Sequence, residues 1–553
     1  MSKYPFRHLS IRVPWHDLGW DGRVCSEPLQ NAACLKLKRI GQSRNDEAEH
    51  DVRGKSIEDL DPEQWPCCLP ERAMFMAPFE YTRMASHPYV KTSPETHGHF
   101  QPTALRHPRY SAPAVPFRWM LSENAEALRD EYDLDVDMRR EPDLPFKTQW
   151  VQELRNQRAL LDCFFGHAVA NKSLCFFYAK QIPLVEESNR VLVGVARVTN
   201  IGGPTEYKTA KGAPFSGLLW ENMVAHSLRP DFSDGFLLPY HAAIRMTEQD
   251  PDFDLTQVLA VPPEDRRLEF SYGTEHVSND AALRSLLACA AALNNAKRGI
   301  PGPWDQCLDW IDSRLLEVET LRGPCPGLGA ALSAFGVEQA ALIARELEAK
   351  AGDNEDPWPV AEKVFKSAGS VLPPALQSKI GPTLKDIWKS LEPERKVLLK
   401  LVSRFELTKE QAALIYVREK RAKVGITATD EQIIKNPYVI FELTRDKVEP
   451  VSVFTIDAGV FPDTTIREKH PLPSSSRVDE SIDVRRVRAF TVELLEQGAA
   501  AGNTLLARAD VVNSIRDLKL KPPSPATGDS LSVAEKIFAG IVDKAQAADS
   551  SPA

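Results

Sequence analysis

The sequence predicts a multidomain α+β protein, and three observations carry that expectation. At 553 residues the chain exceeds what one hydrophobic core holds, and about 150 residues per domain gives three or four domains. Two β-branched and aromatic runs, LCFFYAKQIPL (Leu174–Leu184) and VLVGVARVTNIGG (Val191–Gly203), flank a polar turn, which is the pattern of a β-hairpin. From Asp280 to about Leu518, apolar residues recur at helical spacing. The expected order is a loop-rich Cys/Trp/Pro-containing N-terminal region (1–122), a small mixed α/β domain (123–275), a helical domain (276–392), a second helical region (393–520), and a linker with a C-terminal amphipathic helix (521–553).

Composition narrows the function classes. A chain with 43% hydrophobic and 26% charged residues, and no run of about eighteen apolar residues, has no expected membrane span. The start, MSKYPFRHLSIRVPW, lacks the apolar stretch of a signal peptide, so a cytoplasmic location is expected. Nine cysteines, an odd number, point to reduced thiols rather than a disulfide framework. A net charge of −9 exerts no global pull on nucleic acid, so any such binding rests on local basic patches.

The first region is crowded with Pro, Trp, His and Cys in irregular order, and such a region needs a staple or a large surface to be ordered. Cys25, Cys34, Cys67 and Cys68, with His97, His99 and His107, could ligate zinc, or the four thiolates an iron–sulfur cluster. Their spacing is not CxxC…CxxC, and cysteines are equally at home as small buried apolar groups. His16, Asp17 and Asp21 invite a metal-dependent nuclease reading, but no further carboxylates follow at the required places, and turns around Trp15 and Trp20 are favoured.

The hairpin resembles PUA-like and EVE-type domains, small β-barrels in which a strand of the form FFY precedes one of the form VGVARV. The resemblance implies that Tyr178 or the later Trp220 could face a stacked base. A plain hairpin in a mixed α/β core fits the same residues.

The helical part begins at AALRSLLACAAALNNAKR, with Asp280 as expected N-cap and Gly299–Pro303 as stop. A helix follows from Trp304 to Leu321, then Gly327-Leu328-Gly329, read as the turn of a helical hairpin whose bare amides could meet a phosphate. The alternative is an ordinary glycine-containing connection. Arg404, Lys409, Arg418, Lys420, Arg421 and Lys423 form the best basic patch for phosphate contact, unless they are a solvated helix face.

FELTKEQAALIY (Phe405–Tyr416), the basic run Arg418–Lys423, Asn436-Pro437-Tyr438, then Arg485–Leu495 with Gly502-Asn503-Thr504-Leu505-Leu506, together resemble in order the N-terminal accessory region of RecD-like helicases, the exodeoxyribonuclease V alpha-chain type of superfamily 1 motors. Asn503 stands where that family usually has histidine, and the 405 segment lacks the first hairpin's glycines. The resemblance implies helix-hairpin-helix DNA binding, a role in DNA repair or antiphage defence, and a RecD-like ATPase motor subunit as partner. No GxxxxGK[ST] phosphate loop occurs, and GAAAGNT (Gly498–Thr504) has no lysine to reach the β- and γ-phosphates. The expected function is therefore a non-catalytic DNA-binding scaffold subunit, or the N-terminal portion of a RecD-like helicase system, that guides DNA to a separately encoded ATPase motor. The alternative is a nuclease or modified-base reader in residues 1–250 with a helical DNA clamp. Finally, KPPSPATGDS reads as a linker, and Ala534, Ile537, Phe538, Ile541 and Val542 form an apolar stripe that needs a surface, on this chain or on a partner.

Overall fold

The computed structural model describes residues 3–13, 23–27, 30, 42, 44–61, 64–66, 75–180, 190–250, 252–538 and 542–545. They gather into two compact units, residues 1–318 and 319–553. The fold is mixed α+β, with a curled half-barrel sheet in the first unit and helices throughout the second. Among the described residues no helix is long and apolar enough to cross a membrane.

The main sheet of the first unit has seven strands: β1 (His8–Arg12), β2 (Ser111–Ala114), β3 (Leu174–Ala179), β4 (Val191–Ile201), β5 (Asn222–His226), β6 (Gly235–Leu237) and β7 (Thr274–Val277). Their order is β7-β1-β3-β4-β5-β2, and β6 adds to β4. The expected hairpin is present: β3 pairs antiparallel with β4, Phe176 opposite Val195. All six residues of β3 are buried, as a continuous apolar run requires when both faces of a strand are covered. One covering element is α1 (Leu154–Gly166), which buries Leu160, Leu161, Phe164 and Phe165 in the same core.

Two strands come from outside the expected 123–275 domain. β1 lies parallel to β3, Ser10 opposite Phe176, and antiparallel to β7, Ser10 opposite Glu275. β2, from residues 111–114, pairs with β5. Helix α2 (Asn279–Ala296) also belongs here, because Leu286, Cys289 and Leu293 are buried in the sheet's core. Its cap is Ser278, which accepts from the Ala281 amide, rather than the expected Asp280.

The sheet curls far enough for its outer strands to meet. The Val115 amide donates to Thr274 Oγ1 at 3.1 Å, the Thr274 amide donates to the Val115 carbonyl at 3.1 Å, and Pro116 bridges Gly273. Glu275 is buried beside this seam, and burial pushes its carboxyl up to about 8, helped by the nearby Glu269 and opposed by Arg118. The unfolded chain loses this proton near pH 4.5 while the folded one keeps it, so stability falls as pH rises from 4.5 and levels off above 8. The loss is on the order of 5 kcal/mol across that window. Glu275→Gln should flatten it, so that thermal midpoints of variant and wild type diverge in the variant's favour between pH 5 and 8. Parallel pH profiles would show that Glu275 ionises freely.

In the second unit, α3 (Leu328–Ala334), α4 (Pro393–Val402), α5 (Lys409–Tyr416), α6 (Arg418–Lys423) and α7 (Asp430–Lys435) precede α8 (Val453–Val460), α9 (Val484–Ala500) and α10 (Gly528–Ala534). Capping boxes of Thr408 with Gln411 and Thr429 with Gln432 fix where α5 and α7 start. The Asn-Pro-Tyr segment and the arginine helix α9 meet at one buried carboxylate. The Tyr438 hydroxyl donates to Asp457 Oδ1 at 2.6 Å, and Arg486 grips Asp457 with bonds of 2.7 and 2.9 Å.

The same guanidinium donates to the carbonyls of Ser481, Pro522 and Pro523. The expected linker is thus pinned to the unit, with Ser524 and Ala526 buried. The C-terminal stripe docks on its own chain: α10 packs against α9 and buries Leu531 and Ala534, and Phe538 is buried just after. Ile541 lies outside the described residues.

Candidate nucleic-acid interface

The glycine turn comes first. Gly327 precedes α3, and its amide donates to the Ser403 carbonyl at 2.9 Å. The Leu328 amide donates to Cys325, and the Leu328 side chain is fully buried. A Cβ on residue 327 would stand 1.9 Å from the Phe405 carbonyl oxygen. A Cβ on Gly329 would stand 3.3 Å from Ala341 Cα. In place of an open turn with bare amides, Gly327 and Leu328 form a packed joint between α3 and the Ser403–Phe405 segment. The glycine is there for close approach of two backbones.

Arg404 also turns inward. Its guanidinium donates to the carbonyls of His470, at 2.9 Å, and Gly459, and it is buried. Burial lowers its pKa, partly offset by Cys325 and Asp356. It is a strut of the core and not a surface cation.

The remaining cations divide by helix face. Arg421 is buried in an ion pair with Asp430 and donates to the Ala428 carbonyl. Arg418, half-exposed, bonds Asp430 Oδ2 at 3.0 and 2.7 Å and reaches Glu392 at 3.4 Å. Arg395, which sequence reasoning passed over, approaches the same carboxylate at 3.2 Å and lies 3.8 Å above the Tyr416 ring. Three guanidiniums therefore converge on Asp430, the first residue of α7. Burial pushes its carboxyl up, but Arg421, Arg418 and Arg395 outweigh that and hold it below the usual range. Lys420 and Lys423 are exposed and have no ion pair among the described residues. Lys409 is exposed in the first turn of α5. The signal that could have found Asp430 is its place one residue after the capping Thr429, where a helix N-terminus favours a carboxylate.

α6 thus presents Lys420 and Lys423 outward on a short segment anchored from beneath by Arg421 and Arg418 on Asp430. Flexible lysines on a fixed helix face suit a phosphate backbone, which is met by charge rather than by shape.

In the first unit Tyr178 is buried, and its hydroxyl donates to the Gly273 carbonyl at 3.3 Å, so its ring has no face for a base. Trp220 is half-buried, its ring centroid 5.7 Å from Trp150 and 6.4 Å from Phe117. Of the thiolate set, Cys34, Cys67 and Cys68 lie outside the described residues, as do His16, Asp17 and Asp21, while Cys25 is half-buried. Among the described residues no three His, Cys, Asp or Glu side chains are placed to hold a metal. His97 and His99 are parts of an aromatic stack with Phe100 and Phe215. His107 stacks on Tyr81 at 4.5 Å and accepts from Arg83, and burial pushes it down to about 4. These rings are occupied as packing groups. No protein-family model, curated protein or solved structure matches the chain.

Proposed function

We propose that the chain is a non-catalytic DNA-binding scaffold that guides DNA to a separately encoded RecD-like ATPase motor. The observation that carries this reading is the basic face of α6, with Lys420 and Lys423 exposed and unpaired among the described residues and the helix fixed by Arg421 on Asp430. The order of motifs from Phe405 to Leu506 supports the link to a motor.

The test substitutes only the outward lysines, so that the fold is kept. Lys420→Gln with Lys423→Gln should weaken binding to duplex DNA and reduce the slope of log affinity against log salt by about two, one for each lost phosphate contact. Arg421→Gln, in contrast, should lower thermal stability, because it leaves a buried carboxylate short of a partner. An unchanged salt slope in the double lysine variant would falsify the proposal.

A further inference from the structure

The seam of the curled sheet carries an aromatic group in which Trp150 and Trp220 lean on the core while Phe117 and Tyr272 are left exposed. Phe117 and Tyr272 are 39% and 61% exposed, and Trp150 and Trp220 are half-buried. Phe117, Trp150 and Trp220 form one cluster, with ring centroids 5.7 to 6.4 Å apart. Tyr272 reaches the same rim through its backbone, with its ring outside that contact cluster. Its neighbour Gly273 bridges Pro116, and a Cβ on Gly273 would lie 3.0 Å from the Phe117 ring.

Tyr272 is also held at φ 53, a left-handed backbone that a bulky side chain adopts at a cost. A strained residue whose ring faces water gains little from packing, and such positions concentrate where a ligand is met.

Charge decides among occupants. Arg118 follows Phe117, and its side chain is 38% exposed. Its carboxylate neighbour Glu275, 3.6 Å away, is buried with Oε1 lacking a hydrogen bond. Burial pushes that carboxyl up, which weakens its hold on Arg118. Arg12, exposed, is tied to the same rim by its amide, which donates to Gly273 at 2.8 Å. Aromatic faces flanked by exposed arginines repel a cationic peptide and suit a chain of flat rings on an anionic backbone.

We propose that Phe117, Trp150, Trp220 and Tyr272 form a stacking platform for unpaired bases of a single-stranded nucleic acid, with Arg118 and Arg12 placed beside its phosphates. The site lies within the first unit and does not depend on the role proposed for α6.

The full chain is titrated with a thymidine oligonucleotide while tryptophan fluorescence is followed, alongside an abasic strand of equal length. The expected result is quenching by the thymidine strand and none by the abasic one. Tyr272→Gly removes a stacking ring and relieves the left-handed strain, so affinity should fall about tenfold while the thermal midpoint holds or rises. The quench should persist in the Lys420→Gln/Lys423→Gln chain, which separates this site from the helical one. Equal quenching by the abasic strand, no quenching at all, unchanged affinity of Tyr272→Gly, or loss of the signal in the lysine variant would each overturn the proposal.

Discussion

Alanine in place of Asp457 destabilises the helical unit by about 3–5 kcal/mol, the usual cost of leaving a buried charge without its partner. The partner is Arg486, fully buried on α9, whose two bonds to Asp457 are 2.7 and 2.9 Å. Removing the carboxylate also strips the Tyr438 hydroxyl of its acceptor at 2.6 Å. Because Arg486 holds the Pro522 and Pro523 carbonyls as well, the loss spreads to the segment leading into α10. Urea unfolding followed by circular dichroism should show an earlier transition. Replacing both partners together, Asp457→Leu with Arg486→Met, should recover part of the loss, because no charge then remains buried. A single variant that unfolds at the wild-type midpoint would show that solvent reaches Arg486.

The second large effect is expected at Gly327. A Cβ placed 1.9 Å from the Phe405 oxygen cannot be absorbed by a side-chain rotation, since the obstacle is backbone. Gly327→Ala must push α3 away and break the bond from its own amide to Ser403, for a loss of about 3 kcal/mol or more. Gly329→Ala meets only Ala341 Cα at 3.3 Å and should cost less than about 1 kcal/mol. The pair separates two roles for the turn. A packed joint makes residue 327 far more sensitive than 329 in thermal melts, whereas a phosphate holder would make both variants lose DNA affinity with little change in melting.

Legibility followed the range of the interactions. The β3–β4 hairpin could be read because its strands are neighbours in sequence and their β-branched runs are local. Helices were readable from periodicity, and the capping boxes at Thr408 and Thr429 mark two starts. β1 was not placed, because its partners lie near residues 175 and 276 and leave no trace in the residues around it. The same applies to Gly327, legible as a turn but not as a joint with Phe405. In the basic run, composition makes Arg418, Lys420, Arg421 and Lys423 alike. Only the fold separates Arg421, drawn inward by Asp430, from the lysines facing water. Trp220 was legible as a candidate by its type alone, while Phe117 and Tyr272 acquire their meaning from a seam that joins residues 115 and 274.

The position of β1 also bears on how the protein is made. β1 ends at residue 12, yet one of its two neighbours, β7, ends only at residue 277. At about 5–20 residues per second of synthesis, the early strand waits roughly 15 to 50 s for that neighbour. During that time Leu9 and Ile11, wholly buried in the finished protein, have no complete home. β1 therefore stays adhesive until β7 is made, and a growing polypeptide of this kind gains from a chaperone that covers Leu9 and Ile11.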